Sequence, residues 1–168
     1  NLSTSKIIED ISKKSNAFIY QTKIGEPNVT AKLKELEAVV GGEGNGGIIY
    51  PTVGWGRDSL VGIVIALKHL AETKKTVSQI ISTYPQYKMV REKFTVSTRQ
   101  EINTFLAKVD HHFSKQFKLD KQDGIKVLFN TGWIHVRPSN TEPIIRIFIE
   151  EESLEKANLL YKEVIALK

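Results

Sequence analysis

The sequence predicts an α/β layer followed by a smaller α+β unit in one chain of 168 residues. Three observations predict this. Short strand-like runs alternate with helical periodicities as far as about residue 85, the rhythm of an α/β layer with some parallel strands. Composition and rhythm then change at Pro85-Gln86. Beyond that point a strand-like run, a capped helix, three successive strand patterns and a last helix give the order β-α-β-β-β-α, expected as a four-stranded antiparallel sheet with two helices on one face. The domains predicted are therefore 1–85 and 86–168, with a hinge near residues 85–88.

The elements follow in order. Ser5 caps a helix with Ile7, Ile8 and Ile11 on one face. Ala17–Tyr20 reads as a strand, and the loop after it ends at Asn28 as the N-cap of a helix that turns Val29, Leu33 and Leu36 inward. Ala38–Val40 reads as a short buried strand and Ile48–Tyr50 as another. Asp58 and Ser59 open a helix to about Lys74 whose apolar residues (Leu60, Ile63, Val64, Leu67 and others) lie on nearly every side, so packing all round is expected. A shorter helix spans about Val77–Ser82. In the second domain Tyr87–Val96 is strand-like, and Thr98-Arg99-Gln100-Glu101 is a capping box before a helix lined by Ile102, Phe105, Leu106, Val109 and Phe113. Strands are expected at Ile125–Phe129, Trp133–Val136 and Ile144–Ile149, with Asn130-Thr131-Gly132 as a hairpin turn. Ser153 caps the last helix.

Composition excludes several classes. Apolar residues make up 40% and charged residues 26%, as in ordinary soluble domains. The net charge of +5 suits acidic small ligands, but the lysines are interspersed with acidic residues and there is no aromatic-plus-basic strip, so no nucleic-acid partner is expected. No apolar run approaches the ~20 residues of a membrane span. The absence of cysteine excludes disulfides and thiolate chemistry and fits a reducing compartment. The opening Asn1-Leu2-Ser3-Thr4-Ser5 reads like a strand end entering a helix, so the chain is expected to be part of something longer.

Two stretches concentrate ligand chemistry. In Arg137-Pro138-Ser139-Asn140-Thr141-Glu142-Pro143, a strand runs into a loop that offers a guanidinium, two hydroxyls and an amide between two prolines. Arg137 can grip a phosphate bidentately, with Ser139, Asn140 and Thr141 adding short donors. The same residues also suit an ordinary tight connection. In Gly41-Gly42-Glu43-Gly44-Asn45-Gly46-Gly47, five glycines surround a carboxylate and an amide. Glu43 accepts from vicinal hydroxyls and Asn45 both donates and accepts, a pairing suited to a hexose edge; the alternative is a flexible turn. Asp110-His111-His112 diverges around a helix and reads as a solvated face. Trp133 reads as packing, His135 faces either the core or a cleft, and Lys23 either reaches a phosphate or lies in solvent.

These stretches resemble the α-D-phosphohexomutase family. The Arg137–Pro143 loop is similar to that family's C-terminal phosphate-binding loop, and Gly42–Gly47 to the sugar-binding loop of its third domain. Thr22-Lys23-Ile24-Gly25-Glu26 resembles the third-domain specificity loop, and Arg57-Asp58-Ser59 the Arg-Asp that opens the next helix. The versions present here most resemble bacterial phosphoglucosamine mutases and related phosphomannomutases. The resemblance implies domains three and four of a cytoplasmic enzyme that interconverts hexose 6-phosphate and 1-phosphate through a bisphosphate. It implies phosphate binding by Arg137, Ser139, Asn140 and Thr141, sugar binding by Glu43 and Asn45, and a specificity loop with Lys23, Gly25 and Glu26. A phosphoserine and a Mg2+ on an aspartate-rich loop belong to the family's other domains. No Thr/Ala-Ser-His-Asn-type nucleophile segment and no Asp-x-Asp-x-Asp loop occurs here, so no catalytic or metal residue is assigned and the chain is expected to bind without turning over. A stand-alone phospholigand-binding module is the competing reading.

Overall fold

Two units, Asn1–Gln86 and Tyr87–Lys168, divide the chain in a computed structural model that describes residues 1–168.

Helices carry most of the order in the first unit. Helix α1 (Ile7–Lys14) follows Lys6 as N-cap, and Ser5 Oγ accepts the Ile7 amide at 3.3 Å. Helix α2 (Glu26–Leu36) begins before the expected Asn28, because Pro27 in its first turn has its φ preset and needs no partner for a missing N–H. Asn28 instead donates Nδ2 to the Ile24 carbonyl at 2.9 Å. Val29 and Leu33 of α2 form a small core with Ile49. Asp58 caps helix α3 (Ser59–Thr73), its Oδ1 accepting the Leu60 and Val61 amides at 2.9 and 3.0 Å. Thr76 and Gln79 make a reciprocal capping box on α4 (Val77–Ile81).

Sheet is sparse in this unit. Strand β1 (Gly41–Gly42) pairs antiparallel with β2 (Ile48–Ile49), and no parallel ladder forms. Ala17–Tyr20 and Ala38–Val40, expected as strands, join no sheet, and Phe18 is 89% exposed. Strand propensity yields a strand only where a neighbour takes up the backbone N–H and C=O groups. The shortage of sheet also overturns the expectation that α3 is covered all round. Leu60, Ile63, Val64 and Leu67 are all exposed, Leu60 by 72%, and Gly62 is where the helix meets Ile48.

The second unit is built on strands β3 (Lys88–Thr95), β4 (Lys118–Asp120), β5 (Ile125–Leu128), β6 (Trp133–Pro138) and β7 (Ile144–Glu151), with helices α5 (Arg99–Phe113) and α6 (Leu154–Ile165). The sheet is antiparallel throughout, ordered β3-β7-β6-β5-β4. It has five strands where four were expected. The extra one, β4, is three residues with a single apolar member, Leu119, too short to show a period of two but long enough to pair with β5.

Alternation divides this sheet into two faces. Ile125, Val127, Ile134, Val136, Ile145, Ile147 and Ile149 lie on one face, where Phe105, Val109 and Phe113 of α5 and Ala157 and Val164 of α6 complete the core. Both helices are capped from outside. Thr98 Oγ1 accepts the Glu101 amide at 3.2 Å while Glu101 Oε2 accepts the Ser97 amide at 2.8 Å, and Ser153 Oγ accepts the Lys156 amide at 3.2 Å. The other face carries Lys126, Trp133, His135, Arg137 and Glu150, all buried. Trp133 Nε1 donates to Glu150 Oε2 at 2.8 Å, and the Lys126 ammonium lies 4.7 Å from the centre of the Trp133 ring. Trp133 is therefore a packing residue, as its sequence context implied.

His135 titrates out of its ordinary range. Burial lowers its pKa from 6.5 to about 4, with Lys126 and Arg137 adding to the effect and the Asp123 carbonyl and carboxylate opposing it. The imidazole is thus neutral at pH 7. Its Nε2 sits 2.6 Å from the Asp123 carbonyl oxygen, which only accepts, so Nε2 carries the proton. Because the unfolded chain binds this proton near pH 6.5 and the folded chain only near 4, stability falls as pH drops between those values. The loss approaches about 3 kcal/mol. Denaturant unfolding at pH 7 and pH 4.5 should show this loss, and His135→Phe should flatten the difference; an unchanged slope would contradict it.

Candidate functional site

The Arg137 loop is a hairpin between β6 and β7. Arg137 lies at the end of β6, only 7% exposed, and its guanidinium pairs with Asp123, with Nε 3.3 Å from the carboxylate oxygens. A buried guanidinium is tolerable only with such a partner. Asp123 is held in turn through its backbone carbonyl by His135, two residues along the same strand and on the same face as Arg137. Gly124 completes the fit. Its φ is +73°, and a Cβ there would lie 2.2 Å from the Val136 carbonyl oxygen and 2.8 Å from Arg137 Cα, so only glycine lets this turn press against β6.

Beyond the strand, Ser139 donates its amide to the Ile144 carbonyl at 2.9 Å, which closes the hairpin. Its Oγ lies 3.4 Å from the Thr141 amide and 3.5 Å from Thr141 Oγ1. Asn140 and Thr141 are exposed. Four polar side chains thus stand on one hairpin, with the cation anchored below and the short donors at the tip. Sheet register adds Arg146, which stands opposite Arg137 on β7 and pairs with Glu142, while its buried Nε lacks a hydrogen-bond partner. Neither Asp123 nor Arg146 was assigned from the sequence. Asp123 is 14 residues from Arg137 and Arg146 is 9, and only the antiparallel register brings them together.

In the first unit, the glycine loop closes through the Glu43 amide, which donates to the Gly47 carbonyl at 2.9 Å. Asn45 is exposed, with its side-chain oxygen 3.4 Å from the Gly47 amide. The Glu43 side chain is only 6% exposed. Its Oε1 accepts from the Gly25 amide at 3.1 Å and from Asn1 Nδ2 at 3.0 Å, and its Oε2 lies 3.4 Å from Arg57 Nη1. The loop carrying Gly25 and Glu26 is therefore joined to the glycine loop. Glu26 meets the same arginine, accepting the Arg57 amide at 3.0 Å and Nε at 2.8 Å. The Arg57 amide, then its guanidinium, holds the Glu26 carboxyl below its ordinary pKa. Lys23 is exposed.

The remaining sequence candidates separate. Asp110 pairs with Lys121 and His112 with Glu163, so neighbouring residues on α5 point to different partners. No three His, Cys, Asp or Glu side chains come together in a group able to hold a metal ion. No helix is long and apolar enough to cross a membrane.

Residues 1–87 match the family model described as phosphoglucomutase/phosphomannomutase, alpha/beta/alpha domain III, and residues 89–167 match that of the phosphoglucomutase/phosphomannomutase C-terminal domain. A relative from Thermococcus kodakarensis named phosphoglucomutase/phosphomannomutase is 38% identical over 157 residues, covering 93% of this chain and 34% of that protein. A probable phosphoglucosamine mutase from Methanopyrus kandleri is 32% identical over 167 residues, covering 98% of this chain and 36% of the relative. The chain thus spans about a third of the length of these curated relatives. A crystal structure of a phosphoglucomutase/phosphomannomutase family protein from Burkholderia thailandensis superposes with a TM-score of 0.80 at 18% identity, covering 99% of this chain and 35% of that one, which shows the shared fold. Matched along nearly its whole length by two consecutive domains in family order, the chain belongs to the phosphoglucomutase/phosphomannomutase family and corresponds to its third and C-terminal domains.

Proposed function

We propose that this chain is the substrate-binding C-terminal part of a phosphosugar mutase that interconverts glucosamine 6-phosphate and glucosamine 1-phosphate through a bisphosphate. The observation that carries the reading is the Arg137 hairpin. Arg137, paired with Asp123, ends the strand that runs into Ser139, Asn140 and Thr141, together a donor set suited to a phosphate dianion. Arg137, Ser139, Asn140 and Thr141 hold the phosphate that is not being transferred. Glu43 and Asn45 orient the ring through its hydroxyls, and the loop with Lys23, Gly25 and Glu26 contributes to sugar preference. Binding energy spent away from the reacting atom fixes either phosphate end in register for transfer.

The phosphoryl-transferring serine and the metal lie elsewhere in the whole protein on this reading. Bound Mg2+ would neutralise charge developing on the transferred group. In this chain no three His, Cys, Asp or Glu side chains come together in a group able to hold a metal ion, and on this reading its own residues bind and orient the substrate. The whole enzyme acts in the cytoplasm on a soluble phosphosugar. A second reading, phosphomannomutase or phosphoglucomutase activity by the same mechanism, is favoured by the name of the 38% identical relative.

Two outcomes test the reading. Arg137→Ala should weaken glucosamine 6-phosphate binding by about 10- to 100-fold in calorimetry, since a charge-assisted bond contributes roughly 1.5–3 kcal/mol, while glucosamine binding changes little. Equal losses for both ligands would refute the phosphate role. In a coupled mutase assay the purified chain should show no turnover; a rate in the ordinary enzyme range of about 1–1000 per second would show that it carries its own chemistry.

A further inference from the structure

We propose that Arg57 is a positioning residue for sugar recognition, joining Glu26 of α2 to Glu43 of the glycine loop and leaving Glu43 Oε2 as the acceptor for a ligand hydroxyl. The inference rests on the sugar-binding role of Glu43 and adds a mechanism for it. A carboxylate with free rotamers recognises hydroxyls poorly, because fixing it upon binding costs entropy. Glu43 is fixed beforehand. Its Oε1 already accepts two donors, the Gly25 amide at 3.1 Å and Asn1 Nδ2 at 3.0 Å, which satisfies that oxygen. Its Oε2 meets only Arg57 Nη1, at 3.4 Å, a charge contact longer than a good hydrogen bond. Accepting capacity therefore remains on Oε2 alone, which takes a hydroxyl donor and offers nothing to a phosphate oxygen.

Arg57 is suited to this task by its fork. The backbone amide and Nε both engage Glu26, at 3.0 and 2.8 Å, which occupies both Glu26 oxygens and leaves Nη1 to reach Glu43. The arginine stem crosses the glycine loop at Gly47, where a Cβ would lie 2.4 Å from Arg57 Cδ. One side chain thus ties the specificity loop, the sugar loop and the start of α3 together. A lysine ammonium in its place has no second donor group with which to span both carboxylates.

The test uses the full 168-residue chain labelled with 15N, in unmodified form and as Arg57→Lys, Arg57→Met and Glu43→Gln, titrated with glucosamine 6-phosphate and with inorganic phosphate. In both Arg57 variants the Gly25 amide resonance, which reports the bond to Glu43, should move. The dissociation constant for glucosamine 6-phosphate should rise about tenfold or more, and that for inorganic phosphate should stay unchanged. Arg57→Lys should fail to rescue. If Glu43→Gln weakens glucosamine 6-phosphate binding while both Arg57 variants bind normally, the positioning role is wrong and the sugar-binding role of Glu43 survives. If Glu43→Gln has no effect, or the unmodified chain does not bind glucosamine 6-phosphate, the sugar-binding role itself is overturned. Parallel losses for both probes would mean that Arg57 only supports the fold, and would also overturn the proposal.

Discussion

A charge taken out of water must find a partner of opposite sign, or the free energy of folding cannot sustain it. Each unit of this chain withdraws a charged side chain of a polar loop from water and supplies its partner from another part of the sequence. Arg137 faces Asp123 in the second unit, and Glu43 faces Arg57 in the first. Much local structure follows from these two pairs. The turn at Asp123-Gly124 must press against β6, which is why a glycine stands at positive φ and why His135 donates to the Asp123 carbonyl. The glycine loop must let the Arg57 stem pass, which accounts for Gly47. In both places the packing that satisfies the charge also fixes its direction.

The two units differ in how they hold these charged side chains. In the second, a five-stranded sheet with a continuous apolar face and two capped helices forms a framework, and the Arg137 loop is a hairpin between adjacent strands. In the first, the one hydrophobic cluster is Val29, Leu33 and Ile49, and the sheet is two strands of two residues. There the side-chain network of Glu26, Arg57, Glu43 and Asn1 connects loops that backbone ladders leave apart. Orientation comes from a scaffold in one unit and from electrostatics in the other.

Much of this was legible in the sequence, for reasons that vary by element. Local signals carried over well: the Asp58, Thr98 and Ser153 caps, the stripe of Phe105, Val109 and Phe113, and the strands around Trp133 and Ile144 all depend on neighbours a few residues away. Ala17–Tyr20 and Ala38–Val40 show the limit, because a strand is a property of a pair and propensity describes one member. The polar loops stood out by composition, as did the hydroxyl and amide groups at Ser139, Asn140 and Thr141. Their partners did not. Asp123 becomes relevant to Arg137 only through the fold, and Arg146 only through a register across the hairpin that joins β6 to β7.

On the proposed function, phosphate and sugar are recognised by different, separately organised loops. An amide-shift map of the unmodified chain with inorganic phosphate, followed by glucosamine 6-phosphate, addresses it directly. Inorganic phosphate should move the resonances of Arg137–Thr141 and leave Gly42–Gly47 in place, whereas the phosphosugar should move both sets. Shifts confined to other surfaces, or a glycine loop that responds to inorganic phosphate while the Arg137 hairpin does not, would contradict it.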